Sequence, residues 1–214
     1  MYYPSRVQSF PRFHAHPDQR IVQEALRKNG RDRLLRRAIE DAWSDLKSKQ
    51  PGRALWRRKS TTAGLMWEYA VQRMVEAFAD DPGVKPIPHL DTVSFILDDI
   101  VLIRVKKADL ELRSRNYPTA LALLFHEHEE DLFGFEGLHR VEAAYVPNRF
   151  ETEINWIGIV ARDGSKSLWH FELEAGGAVV VPFPVEPATV PASETVMRRK
   201  QTESDKKDEQ EEEK

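Results

Sequence analysis

The 214-residue chain has no cysteine, which excludes a disulfide framework and any zinc site built on thiolates. It also lacks the roughly 18 to 20 consecutive apolar residues of a membrane-spanning helix, so no such span is expected. The opening MYYPSRVQSFPRFHAHP has no apolar block behind its charges and does not read as a secretory leader, which points to the cytoplasm. Glycine is sparse at ten residues, and none of them builds a phosphate loop, a dinucleotide fingerprint or a Gly-x-Ser-x-Gly elbow. Gly176-Gly177 reads as a turn ahead of an apolar strand-like run, Ala178 to Val181. With no thiol and no serine in a glycine-flanked elbow, nucleophilic catalysis has no candidate, and no cofactor is expected.

What is present fits a globular chain: 41% hydrophobic and 31% charged residues exclude a fibrous, collagen-like or wholly disordered protein. The length supports a sizeable core. The net charge of -3 conceals a charge dipole along the sequence. Residues 1 to 120 hold 22 Lys and Arg against 15 Asp and Glu, whereas the remainder holds 10 against 20. Most of the positive excess lies in residues 1 to 59, and acids dominate from Glu203 to Lys214. A basic end of this kind suits phosphates, an acidic partner, or the chain's own acidic tail.

Spacing predicts an α+β fold in which N-terminal helices pack on a largely antiparallel sheet of about five strands. Residues 1–16 read as an arm, 17–181 as one α+β domain with a helical part (17–80) and a sheet part (86–181), and 182–214 as a disordered acidic tail. The first helix starts at His16-Pro17-Asp18 and stops at Asn29-Gly30, and the second runs from about Arg31 to Lys49. A third, from about Thr62 to Ala79, is expected at the centre of the core, capped by Ser60, Thr61 or Thr62. Strands follow at Thr92 to Leu97 and Ile100 to Val105, joined by a tight Asp98-Asp99 turn, the second covered on both faces. Lys106 to Arg113 and Ala120 to Glu127 read as short helices. A closing meander, about His139 to Val146, Glu151 to Ala161 and Ser167 to Leu173, should have one buried and one mostly solvated face.

The densest titratable cluster is His126-Glu127-His128-Glu129-Glu130-Asp131, with His126, His128 and Asp131 as metal-ligand candidates. Histidines two apart leave a helix on different sides, so only an extended segment would aim both at one ion, and a solvated helix end is the simpler account. Glu68 or Glu76, Asp91 or Asp98, and Lys106 at the end of a strand resemble the PD-(D/E)xK nucleases, whose carboxylates hold a divalent ion while lysine steadies the attacking water. The chain reads Arg104-Val105-Lys106 where that pattern needs a carboxylate two residues before the lysine, and a cation there repels the metal. The resemblance implies at most a degenerate, non-catalytic relative.

The basic segment is the strongest functional hint, and Arg33, Arg36, Arg37, Arg57 and Arg58 are its candidate contacts. Interleaved acids such as Asp32, Glu40, Asp41 and Asp45 also fit a solvated helix face. A polar set after the second strand adds Arg104, Lys106, Arg113, Asn116 and Tyr117. The order Val101-Leu102-Ile103-Arg104-Val105-Lys106, Arg115-Asn116-Tyr117-Pro118, a strand with Tyr145, and Leu168-Trp169 resembles uncharacterised bacterial proteins that accompany mobile-element, phage-defence or toxin-antitoxin genes. The resemblance spans about residues 95 to 173 and implies a regulatory or interaction role rather than a chemistry. The sequence therefore reads as a non-enzymatic intracellular protein that binds a macromolecular partner, a protein first. The alternative is a nucleic-acid-binding protein with a degenerate nuclease-like fold.

Overall fold

The computed structural model describes residues 16–114, 120–128 and 131–175. All of them belong to one compact unit, Met1–Ala178. A second unit, Val179–Lys214, lies outside the described residues, as do the expected tail, most of the expected arm, Asn116 and Tyr117.

Helix α1 (Gln19–Arg27) starts where Asp18 accepts hydrogen bonds from the Arg20 and Ile21 amides. Its exit is a short 3-10 turn in which Asn29 and Gly30 are both left-handed, so the chain reverses and α2 (Arg31–Lys49) begins at once. Leu35, Ala38, Ile39, Ala42 and Leu46 bury one stripe of α2. A second 3-10 segment (Pro51–Leu55) leads to α3 (Lys59–Ala77), which buries Thr62, Met66, Ala70 and Met74. The expected hydroxyl cap is not used: α3 starts three residues earlier, at Lys59, with no side-chain cap.

Six strands form one sheet in sequence order: β1 (Val84–His89), β2 (Thr92–Leu97), β3 (Val101–Lys107), β4 (His139–Pro147), β5 (Ile154–Asp163) and β6 (Lys166–Glu172). Neighbours are antiparallel except β3 and β4, which run parallel because α4 (Ala120–Glu127) lies in the connection between them. The extra strand is β1, hidden from sequence reading by Pro86 and Pro88. Prolines two apart withhold donors on the same side, which an edge strand tolerates.

The expected helix over Lys106 to Arg113 does not form. β3 carries Lys106 and Lys107 in register with β4, and Ala108 then bonds Tyr145 O (2.9 Å) and bridges to Ser114. Asp109 takes the Glu111 and Arg113 amides on its own carboxylate (3.0 and 2.9 Å), holding a loop instead of a helix.

Val101, Ile103 and Val105 of β3, Val141, Ala143 and Tyr145 of β4, and Ile157, Ile159 and Ala161 of β5 face the core formed with α1, α2 and α3. The other face is covered too. Ile96 and Leu102 pack there against Phe125 of α4 and against Leu132 and Leu138 of the following loop. The solvated face expected of the meander is therefore absent from β4, which is buried at every position from Arg140 to Val146.

One buried cation ties the helical layer to the sheet. Arg31, fully buried at the start of α2, donates two hydrogen bonds to Asp81 (2.7 and 3.0 Å), two to Asp98 (2.7 and 3.1 Å) and one to Ala25 O (3.1 Å). It joins the α1–α2 junction, the turn after α3 and the β2–β3 hairpin, where Asp98 and Asp99 are left-handed. Hydrogen bonds from Arg31 hold the Asp81 carboxyl well below the usual carboxylate range and also lower Asp98. Both acids lose their protons more readily folded than unfolded. Their stabilisation is thus complete above about pH 4 and is lost as the pH falls below it. Replacing Arg31 with Met should cost about 3–5 kcal/mol at pH 7. Urea unfolding of the variant should also lose the part of the acid dependence below pH 4 that the parent owes to this cluster.

Candidate functional site

Cations gather in two separate places, one on the helical layer and one beneath α4. The helical group is largely neutralised where the sequence is richest in arginine. Arg36 binds Glu40 (2.8 Å), Glu172 (3.2 Å) and the Leu173 carbonyl, and Arg37 lies 3.7 Å from Asp41. Lys28 reaches Asp98 (2.9 Å). Arg33 is exposed and, with Arg37, Glu40 and Asp41, lines an open groove of about 510 Å³. Mixed charge gives that groove no strong sign.

The stretch between α2 and α3 differs. Lys47, Lys49, Arg53, Arg57, Arg58 and Lys59 follow one another with no acid between Asp45 and Glu68. Lys49 pairs with Asp45 (3.3 Å), but the exposed side chains of Arg57, Arg58 and Lys59 have no ion pair among the described residues. Leu55 beside them is 86% exposed, and Trp56 is half-buried.

The second group sits on the sheet face under α4. Alternation along β3 sends Leu102, Arg104 and Lys106 to that face, and the parallel register sets Arg140 beside Leu102 and Glu142 beside Arg104. Glu142 is 1% exposed. Both of its carboxylate oxygens lie within hydrogen-bond distance of the Ser114 hydroxyl, which donates to them (2.8 and 2.7 Å), and the carboxylate lies 3.4 Å from His126 Nε2 and 3.9 Å from Arg162 of β5. Burial alone would raise the Glu142 carboxyl; the contacts with His126, Ser114 and Arg162 overcome it and keep the group below its ordinary value. Arg140 donates to Leu124 O at 2.5 Å, and Arg162 to the Ser114 hydroxyl and carbonyl (3.0 and 3.3 Å).

Arg104 is held differently. Its Nε donates to Ser94 Oγ (3.1 Å) and its guanidinium lies 4.4 Å from the Phe125 ring centre. Burial brings Arg104 down to about 10 and pushes Lys106 below the usual lysine value, each only partly offset by Glu142.

The predicted contacts therefore do not share one surface. Arg33, Arg36, Arg37, Arg57 and Arg58 lie on the helical layer, while Arg104 and Lys106 occupy the opposite face of the sheet. Arg113 is exposed and bound by Glu111 and Asp109. His126 turns to Glu142, His128 donates to Arg162 O (2.7 Å), and Asp131 accepts from the Gly137 amide (3.1 Å). Among the described residues no group of His, Asp and Glu side chains is arranged to hold a metal ion. The nuclease-like set is dispersed: Glu68 and Glu76 are exposed on α3, Asp91 is exposed in the β1–β2 turn, and Asp98 belongs to the Arg31 cluster. No helix among the described residues is long and apolar enough to cross a membrane.

Sequence reading overlooked Arg140, Glu142 and Arg162. A signal was present, since Arg140 and Glu142 alternate with apolar Val141 and Ala143, but charged positions on a strand read as solvated until the cover from α4 is known. Glu142→Gln should lower stability by about 3–5 kcal/mol in urea unfolding, because it removes the carboxylate from a set of buried cations. A loss under 1 kcal/mol would show that the cations are balanced without it. Compared with known proteins, the chain matches no protein-family model, no curated protein and no solved structure.

Proposed function

We propose that the protein is a non-enzymatic interaction protein that holds an acidic protein partner through the connector between α2 and α3. The observation that carries this reading is the exposed run Arg57-Arg58-Lys59, without an ion pair among the described residues, beside Leu55, which is 86% exposed. Arginine offers bidentate bonds to carboxylates, and an exposed leucine among cations fits a partner segment that alternates acids with apolar side chains. A duplex phosphate backbone provides nothing for that leucine, which ranks nucleic acid second. The reading retains Arg57 and Arg58, makes Arg33 and Arg37 peripheral, and takes weight off Arg36, whose guanidinium already serves Glu40 and Glu172. A cytoplasmic setting in bacterial defence or a toxin-antitoxin system belongs to the same proposal.

Capture of partners by the full chain from its native lysate, with and without nuclease, tests the class of partner. One protein recovered in both conditions is expected; nucleic acid recovered with proteins that vanish after nuclease would overturn the protein reading. Reversing the charges of Arg57, Arg58 and Lys59 together should weaken binding of the captured protein by about tenfold or more, since three surface attractions become repulsions. The same reversal at Arg33 and Arg37 should have the smaller effect. Equal affinities for the parent and the triple variant would remove the connector from the interface.

A further inference from the structure

Two buried arginines in this fold are treated in opposite ways. Arg31 makes five hydrogen bonds, four of them to carboxylates. Arg104 is 7% exposed, has no carboxylate within ion-pair distance among the described residues, and leaves Nη2 buried without a hydrogen-bond partner. Two residues along the same strand face, Lys106 is half-buried and has no ion pair or hydrogen bond to its amine among the described residues. The carboxylate in register with Arg104, Glu142, is engaged by Ser114, His126 and Arg162. Arg104 and Lys106 thus share this face with a carboxylate that other groups already engage. A buried cation without a counter-charge is costly, and the fold shows with Arg31 that it can supply carboxylates where the role of an arginine is structural.

We propose that this face of the sheet binds a phosphoryl group, with Arg104 Nη2 and Lys106 Nζ as its principal donors and Arg162 at its flank. Lys106, the more exposed of the two donors, marks the side from which the anion enters. A phosphoryl dianion can take both cations at once, whereas one carboxylate neutralises only one of them. Free phosphate and a phosphomonoester present the same chemistry to the site. The proposal is independent of the connector described above, which lies on the helical layer.

The test uses the full chain exchanged into chloride buffer, with thermal unfolding and calorimetric titration against inorganic phosphate and adenosine 5′-monophosphate at matched ionic strength. Saturable binding is expected, with the midpoint rising about 5–10 °C when ligand exceeds its dissociation constant by about a hundredfold. A larger response to the nucleotide identifies an esterified ligand, and a response to inorganic phosphate alone identifies the free anion. Lys106→Met and Arg104→Met should each abolish the saturable part, leaving the weak non-saturating stabilisation that phosphate gives most proteins. In chloride alone Arg104→Met should melt no lower than the parent, because it removes a buried charge that has no carboxylate within ion-pair distance among the described residues; Lys106→Met carries the ligand test if that variant fails to fold. No saturable response in the parent, or an undiminished one in Lys106→Met, would overturn the proposal.

Discussion

The structure depends on where it places charge inside the protein. Sheet faces in three-layer folds are ordinarily apolar on both sides, yet here one face of β3, β4 and β5 carries Arg104, Lys106, Arg140, Glu142 and Arg162 beneath α4. Glu142 is the centre of that arrangement, because Ser114 from the loop after β3, His126 from α4 and Arg162 from β5 all converge on its carboxylate. The parallel pairing of β3 with β4 brings Arg104 and Glu142 side by side, and that pairing in turn follows from the crossover that contains α4.

Arg31 provides the contrast that gives this face its meaning. Both arginines are withdrawn from water, but Arg31 is bound by two carboxylates that join three chain segments, while Arg104 relies on a serine hydroxyl and an aromatic ring. The first pattern is that of a structural clasp, whose removal strands two acids. The second leaves donor capacity unused in a place where unused donors are expensive. The same distinction applies at the surface, where Arg36 is committed to Glu40 and Glu172 while Arg57 and Arg58 of the connector have no ion pair among the described residues.

Much of the architecture was legible in the sequence because it rests on local signals. Asn29-Gly30 announces the turn between α1 and α2, the three-and-four spacing of Leu35 to Leu46 announces the α2 stripe, and Asp98-Asp99 announces the hairpin. The errors have physical causes of the same kind. Pro86 and Pro88 concealed an edge strand, and Asp109 captured amides that a helix would have used. The cationic sites were only partly legible. Nothing local sets Arg31 apart from the other basic residues of the first 59, because its partners Asp81 and Asp98 lie 50 and 67 residues away. Arg104 and Lys106 were singled out as polar residues on an apolar strand, but Arg140, Glu142 and Arg162 become their neighbours only through a crossover that no local pattern encodes.

Under the two proposals, the cationic connector would hold an anionic group at the surface and Arg104 with Lys106 would hold one within the fold. The central claim, that Arg104 and Lys106 form a site rather than a structural brace, is tested most directly by following the Lys106 side chain by NMR as a function of pH, with and without inorganic phosphate. The account predicts that its amine titrates below the ordinary lysine value in chloride, since burial disfavours the charged form, and moves upward when phosphate is added. An amine that titrates at the ordinary value and does not respond to phosphate would contradict it.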